Sequence, residues 1–135
     1  MGATSDVVWD LLGDFNSMEI WHPAILNSIL VGDGVTAGSR RLLMIPGVGT
    51  IAEELISHSD ETMTLVYRIV DSPLPITNYV STLQVEATRD PNDKTSKILW
   101  TSTFDAKGDA PEEQGIEIVT GVYKAGLEAV RRRFE

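Results

Sequence analysis

The sequence predicts an α+β fold: a curved antiparallel sheet of about six strands wrapped around one long C-terminal helix, with an apolar cavity between them. Three observations carry this. Apolar runs follow one another between residues 25 and 105 with only turn residues between them, the mark of an antiparallel meander. Parallel pairing needs crossovers of about a dozen residues, for which there is no room. Beyond residue 110 the periodicity becomes helical, and one helix covers so many strands only if the sheet curls around it. A curled sheet leaves a space at one end of that helix.

The elements are legible in order. Thr4-Ser5-Asp6 offers helix caps, because short side-chain oxygens accept first-turn N–H groups. Val7, Val8, Leu11 and Leu12 follow at helical spacing with Trp9 at the edge, so a short helix is expected over about 5–13, with Gly13 as its stop. A second short turn runs from Ser17 to Trp21 and ends at His22-Pro23, where proline has no N–H to donate. Strands are expected over Ile25–Val31, Ser39–Ile45, Thr50–His58, Thr62–Val70, Ile76–Ala87 and Lys97–Asp105. The turns between them are Gly32-Asp33-Gly34, Pro46-Gly47-Val48-Gly49, Ser59-Asp60-Glu61, Asp71 to Pro75 and Asp90-Pro91-Asn92-Asp93. Pro111-Glu112-Glu113 opens the last helix, with acids at the positive end of its dipole and Arg131-Arg132-Arg133 at the negative end. Its apolar stripe is Ile116, Val119, Tyr123, Leu127 and Val130, flanked by Ile118, Val122 and Phe134.

A chain of 135 residues is one domain by length, spanning 1–135. With no cysteine, disulfides and thiolate chemistry are excluded. A net charge of −9 argues against nucleic acid and anionic membranes as partners. No apolar run spans a bilayer and no signal peptide is visible, so membrane insertion is not expected and the cytoplasm is the default location.

Strand alternation sorts side chains by face. Ile51, Glu53 and Leu55 share one, as do Leu65, Tyr67 and Ile69, then Tyr79, Ser81, Leu83 and Val85, then Ile98, Trp100, Ser102 and Phe104. These sets are largely apolar and are expected to face the helix, carrying Glu53, Tyr67, Tyr79 and Ser81 into an apolar space. Glu53 in a dry cavity is a candidate acid or base, because desolvation raises a carboxyl pKa. Its alternatives are an ion pair with Arg40, Arg41 or Arg68, or exposure if the register shifts by one residue. Tyr67 and Tyr79 are candidate donors to a ligand carbonyl, or core tyrosines bonded to a neighbour. Trp100 and Phe104 are expected as wall or core, Tyr123 on the helix and Leu74 on a loop as ligand contacts. His22 is expected in a loop near the cavity mouth, either as a general base or as a structural residue. His58, next to a turn, is expected to be exposed. Two distant histidines without clustered acids make no metal site. No cofactor is expected either, because Gly47-Val48-Gly49 lies between strands rather than before a helix.

Val8-Trp9-Asp10-Leu11-Leu12-Gly13-Asp14-Phe15-Asn16 followed by Trp21-His22-Pro23 resembles the opening of the polyketide cyclase/dehydrase branch of the START-like (SRPBCC) superfamily. Glu53-Glu54-Leu55 with Asp60, Leu74-Pro75 with Tyr79, Trp100 with Phe104, and Gly121 to Leu127 recur there at similar spacing. The resemblance covers nearly the whole chain and implies the helix-grip fold. It implies binding of an apolar small molecule, lipid-like, aromatic or polyketide-like, with 46–49 and 73–76 as lids. Its enzymatic members imply a rival: cyclase or dehydratase chemistry with Glu53 and either Tyr79 or His22 as acid/base. The chain is also distantly similar to the plant abscisic-acid receptors, which imply a third reading, lids that recruit a partner protein. Their hormone-gripping basic residue falls near Asn27 here, which argues against that hormone. Members of the superfamily usually begin with a strand before the first helix. This chain begins almost at the helix, so either that strand is missing from the sequence or the sheet has six strands and an open edge, and an open edge invites pairing with another chain as a homodimer.

Overall fold

The computed structural model of the chain describes residues 2–87 and 95–135. Two short helices, α1 (Ser5–Leu12) and α2 (Met18–Trp21), precede six strands and one long helix, α3 (Glu112–Arg133). The strands are β1 (Asn27–Val31), β2 (Arg40–Ile45), β3 (Gly49–Ser59), β4 (Thr64–Asp71), β5 (Ile76–Ala87) and β6 (Ser96–Ala106). They pair antiparallel in chain order, so β1 and β6 are the edges of one open sheet. This is the expected helix-grip architecture. The turn expected at Asp90-Pro91-Asn92-Asp93 lies outside the described residues.

The expected faces hold. Ile51, Glu53, Leu55, Leu65, Tyr67, Tyr79, Ser81, Leu83, Val85 and Trp100 are all buried. Thr4 stands at the start of α1, but its side chain makes no capping bond. Ser17 flanks α2 in the same way, its hydroxyl donating to the carbonyls of Leu11 and Asp14 instead.

The buried stripe of α3 differs from the expected one. Ile116 is 48% exposed, whereas Gly115, Val119, Gly126 and Val130 are buried. The helix turns its glycines to the sheet because large side chains need that space. A Cβ on Gly126 would lie 2.7 Å from the His22 ring and 3.0 Å from Trp21 and Trp100. One on Gly115 would lie 2.7 Å from Ile76 and 3.1 Å from Phe104. Gly126→Ala therefore forces rings apart in a close-packed core and is expected to cost roughly 1–3 kcal/mol in a urea melt, against the usual helix preference for Ala.

His58 corrects the expectation of exposure: its side chain is only 7% exposed. The register shifts between Leu55 and Ser57, and this bulge returns His58 to the inner face opposite Leu65. There its ring meets Trp9 at 5.4 Å, and Nε2 lies 2.7 Å from the Gly13 carbonyl.

Candidate functional site

Between the concave sheet and α3 lies a cavity of about 100 Å³ with an almost wholly apolar wall. Ile51, Ile69, Ile76 and Trp100 line it from the sheet, and Ile118, Val119, Val122 and Tyr123 from α3. Val48 and Leu74 bring in the loops after β2 and β4. Those loops approach each other, since a Cβ on Gly49 would sit 3.5 Å from Pro73 Cγ. Val48 is 43% exposed, which puts this pair of loops at the solvent side of the cavity.

Bulges aim the polar residues of the wall. The register shifts between Ala52 and Glu53, and again between Thr77 and Val80, where Asn78 takes a positive φ of 55°. Asn78 holds that conformation with its amide 3.0 Å from Asp105, and Tyr79 beside it turns its ring inward against Phe104 and Tyr67.

Glu53 is buried, and its partner is Arg41, the residue directly opposite on β2. Arg41 Nε and Nη2 reach Glu53 Oε1 at 2.9 and 2.8 Å, and Nη1 donates to the Phe15 carbonyl at 2.7 Å. The guanidinium lies 4.2 Å from the Phe15 ring centroid and 4.7 Å from that of Tyr67. Burial pushes the Glu53 carboxyl above its ordinary range, while the charge and hydrogen bonds of Arg41 draw it back. The ion pair and the cavity-facing carboxyl, alternatives in the sequence, are thus both present.

Across the cavity, hydroxyls join in one network. Tyr79 bonds Tyr123, and Tyr123 lies 2.8 Å from Ser81 Oγ. Ser81 donates to the Thr101 carbonyl at 3.1 Å, and Trp100 Nε1 reaches both Tyr67 and Ser81 at 3.0 Å. Trp100 stacks on Tyr123 with ring centroids 4.1 Å apart. Burial pushes all three phenols up, so they remain neutral hydrogen-bonding groups.

His22 sits in the cavity wall and is 2% exposed, deeper than the loop position expected. Ala24 N–H donates to its Nδ1 at 3.1 Å, which leaves the proton on Nε2, 2.8 Å from the Val122 carbonyl. Both nitrogens are thereby occupied by backbone. Burial lowers its pKa. A proton on Nδ1 would face the Ala24 N–H, so the folded state resists charging. The unfolded chain binds that proton near pH 6.5, so stability falls as pH drops below about 6.5. Denaturant melts between pH 5 and 7 are expected to show this slope, and His22→Gln to flatten it.

Of the remaining expected contacts, Tyr67, Tyr79, Trp100, Tyr123 and Leu74 line the cavity. Ser81 and Phe104 do not: Ser81 lies behind the wall, tying Tyr123 and Trp100 together, and Phe104 backs Tyr79. Arg41 was visible in the sequence only as one of three possible partners of Glu53. Its alternation with Leu43 on β2, both buried, was the signal that singles it out. Among the described residues no group of acids and histidines is arranged to hold a metal ion, and no helix is long and apolar enough to cross a membrane.

The family described as polyketide cyclase/dehydrase and lipid transport matches residues 2–135. A comparison with curated proteins gives no match. Among solved structures, the protein XoxI from Bacillus cereus is 34% identical, with a TM-score of 0.88 over 99% of this chain and 89% of that one. An uncharacterised protein from Bacillus thuringiensis is 35% identical, with a TM-score of 0.88 over 99% of this chain and 93% of that one. A protein from Thermobifida fusca is 32% identical, with a TM-score of 0.84 over 99% and 87%.

Proposed function

This chain belongs to the polyketide cyclase/dehydrase and lipid transport family, and on that premise we propose that it binds one apolar small molecule in the cavity between sheet and α3. The observation that carries the reading is an apolar wall interrupted by a few convergent polar groups, the usual make-up of a ligand site. At about 100 Å³ the cavity suits a single ring as it stands. A lipid-like or polyketide-like guest requires the loops at 46–49 and 73–76 to open, and Val48 and Leu74 are the side chains that move.

The enzymatic reading, a cyclase or dehydratase with Glu53 and Tyr79 or His22 as acid/base, has less support in the geometry. His22 has no free nitrogen, and Glu53 and Tyr79 each hold a protein partner. The two edges β1 and β6 leave backbone groups available to a second copy of the chain, and sedimentation of the purified protein reads that directly.

Backbone-amide NMR during titration with a neutral one-ring compound tests the binding reading. Saturable shifts are expected at Val48, Leu74, Val119 and Tyr123. Shifts confined to the outer sheet face, or none that saturate, would sink it.

A further inference from the structure

We propose that the cavity selects its guest by a hydrogen-bond donor, an alcohol, phenol or N–H group received by Glu53 Oε2, and that it excludes anions. The proposal rests on the reading of the cavity as a small-molecule site and names the ligand class.

Both contacts from Arg41 end on Glu53 Oε1. Among the described residues Oε2 accepts no hydrogen bond, although Glu53 is 5% exposed and lines the cavity. A carboxylate oxygen that faces an apolar cavity without a partner is costly, and a carboxylate can only accept. The missing component is therefore a donor, which no hydrogen bond of the described residues supplies and a cavity guest can. The opposite wall makes no competing demand. On that wall Ser81 can donate to Thr101, Tyr123 to Ser81, and Tyr79 to Tyr123, while the Tyr67 hydroxyl accepts from Trp100 Nε1.

Exclusion of anions follows from the same count. No lysine or arginine lines the cavity among the described residues. Arg41 directs Nε and Nη2 to Glu53 and Nη1 to the Phe15 carbonyl, and has Phe15 and Tyr67 on its faces. A carboxylate or phosphate guest would bring a further negative charge beside Glu53, whose one cationic partner is already paired. A site built to pair with a hydroxyl discriminates against an analogue lacking one, because the site's own polar group is then left bare.

Three probes differing in one group test this: para-ethylphenol, para-ethylanisole and para-ethylbenzoate, titrated at neutral pH and followed by backbone-amide NMR. The phenol is expected to bind about tenfold more tightly than its methyl ether, and the benzoate not to bind. Glu53→Gln sharpens the test. Arg41 can only donate, so the amide oxygen must turn towards it and the NH2 group takes the place of Oε2. The preference should then vanish or reverse in favour of the ether. Equal binding of phenol and ether by the wild type, or an unchanged preference in a folded Glu53→Gln protein, overturns the selectivity while leaving the binding reading intact. Failure of all three probes to bind overturns the binding reading itself, and this proposal with it. The wild-type comparison decides even if the variant does not fold.

Discussion

Arg41→Met is expected to lower stability at neutral pH by about 3–5 kcal/mol, because it strands a buried carboxylate. Arg41 contributes more than charge. It bridges β2 to the α1–α2 connection through the Phe15 carbonyl, and its guanidinium plane fills the space between two aromatic rings. Arg41→Lys is therefore expected to recover only part of the loss, since a lysine offers neither the fork nor the flat face. The pH dependence separates charge from packing. Without Arg41 nothing opposes the effect of burial on Glu53, so its carboxyl pKa rises further. The unfolded carboxyl titrates near 4.3, below the folded one. The deficit should thus be greatest above the folded pKa and shrink as pH falls toward 4, where both states are protonated. The double variant Arg41→Met with Glu53→Met should restore most of the stability, because an apolar pair of similar volume often replaces a buried ion pair without loss. Urea melts of the four proteins at several pH values measure all of this. A double variant as unstable as Arg41→Met alone would show that the cost lies in packing.

Trp100→Ala is the second large effect, about 3–5 kcal/mol. The indole stacks on Tyr123, meets Trp21 edge-on at 5.7 Å, and donates to Tyr67 and Ser81. Its removal enlarges the cavity and leaves two hydroxyls short of a donor. For a domain of this size the loss corresponds to a fall in melting temperature of roughly 10–20 °C. Trp100→Phe keeps most of the stacking and loses only the donor, so about 1–2 kcal/mol is expected. Equal effects of the two substitutions would mean that the hydrogen bonds, rather than the ring, dominate.

The order of elements and the inward face of each strand were readable because both depend on periodicity along the chain. Burial of Tyr67, Tyr79, Ser81 and Trp100 follows from alternation alone. What the sequence concealed were breaks in that alternation. The bulge after Leu55 carries His58 inward, and the one at Asn78 orients Tyr79, yet neither position carries a glycine or proline to announce it. The buried face of α3 departs from its hydrophobic pattern for a related reason. A hydrophobicity pattern favours Ile116, whereas contact with the sheet is decided by where Trp100, His22 and Ile76 need room, which is at Gly126 and Gly115. His22 illustrates a third limit. Its residue type suggested acid/base chemistry, but the backbone groups that occupy its two nitrogens come from Ala24 and from Val122, 100 residues away in sequence.

The central claim is that the cavity between sheet and α3 is a site for one neutral apolar molecule. Native mass spectrometry of the purified protein, before and after incubation with a panel of neutral ring compounds, tests it most directly. The predicted result is a single adduct per chain, either carried from the expression host or acquired from the panel, which is released on denaturation and lost in a variant that fills the cavity, such as Val119→Trp. A protein that keeps its bare mass under both conditions would contradict the claim.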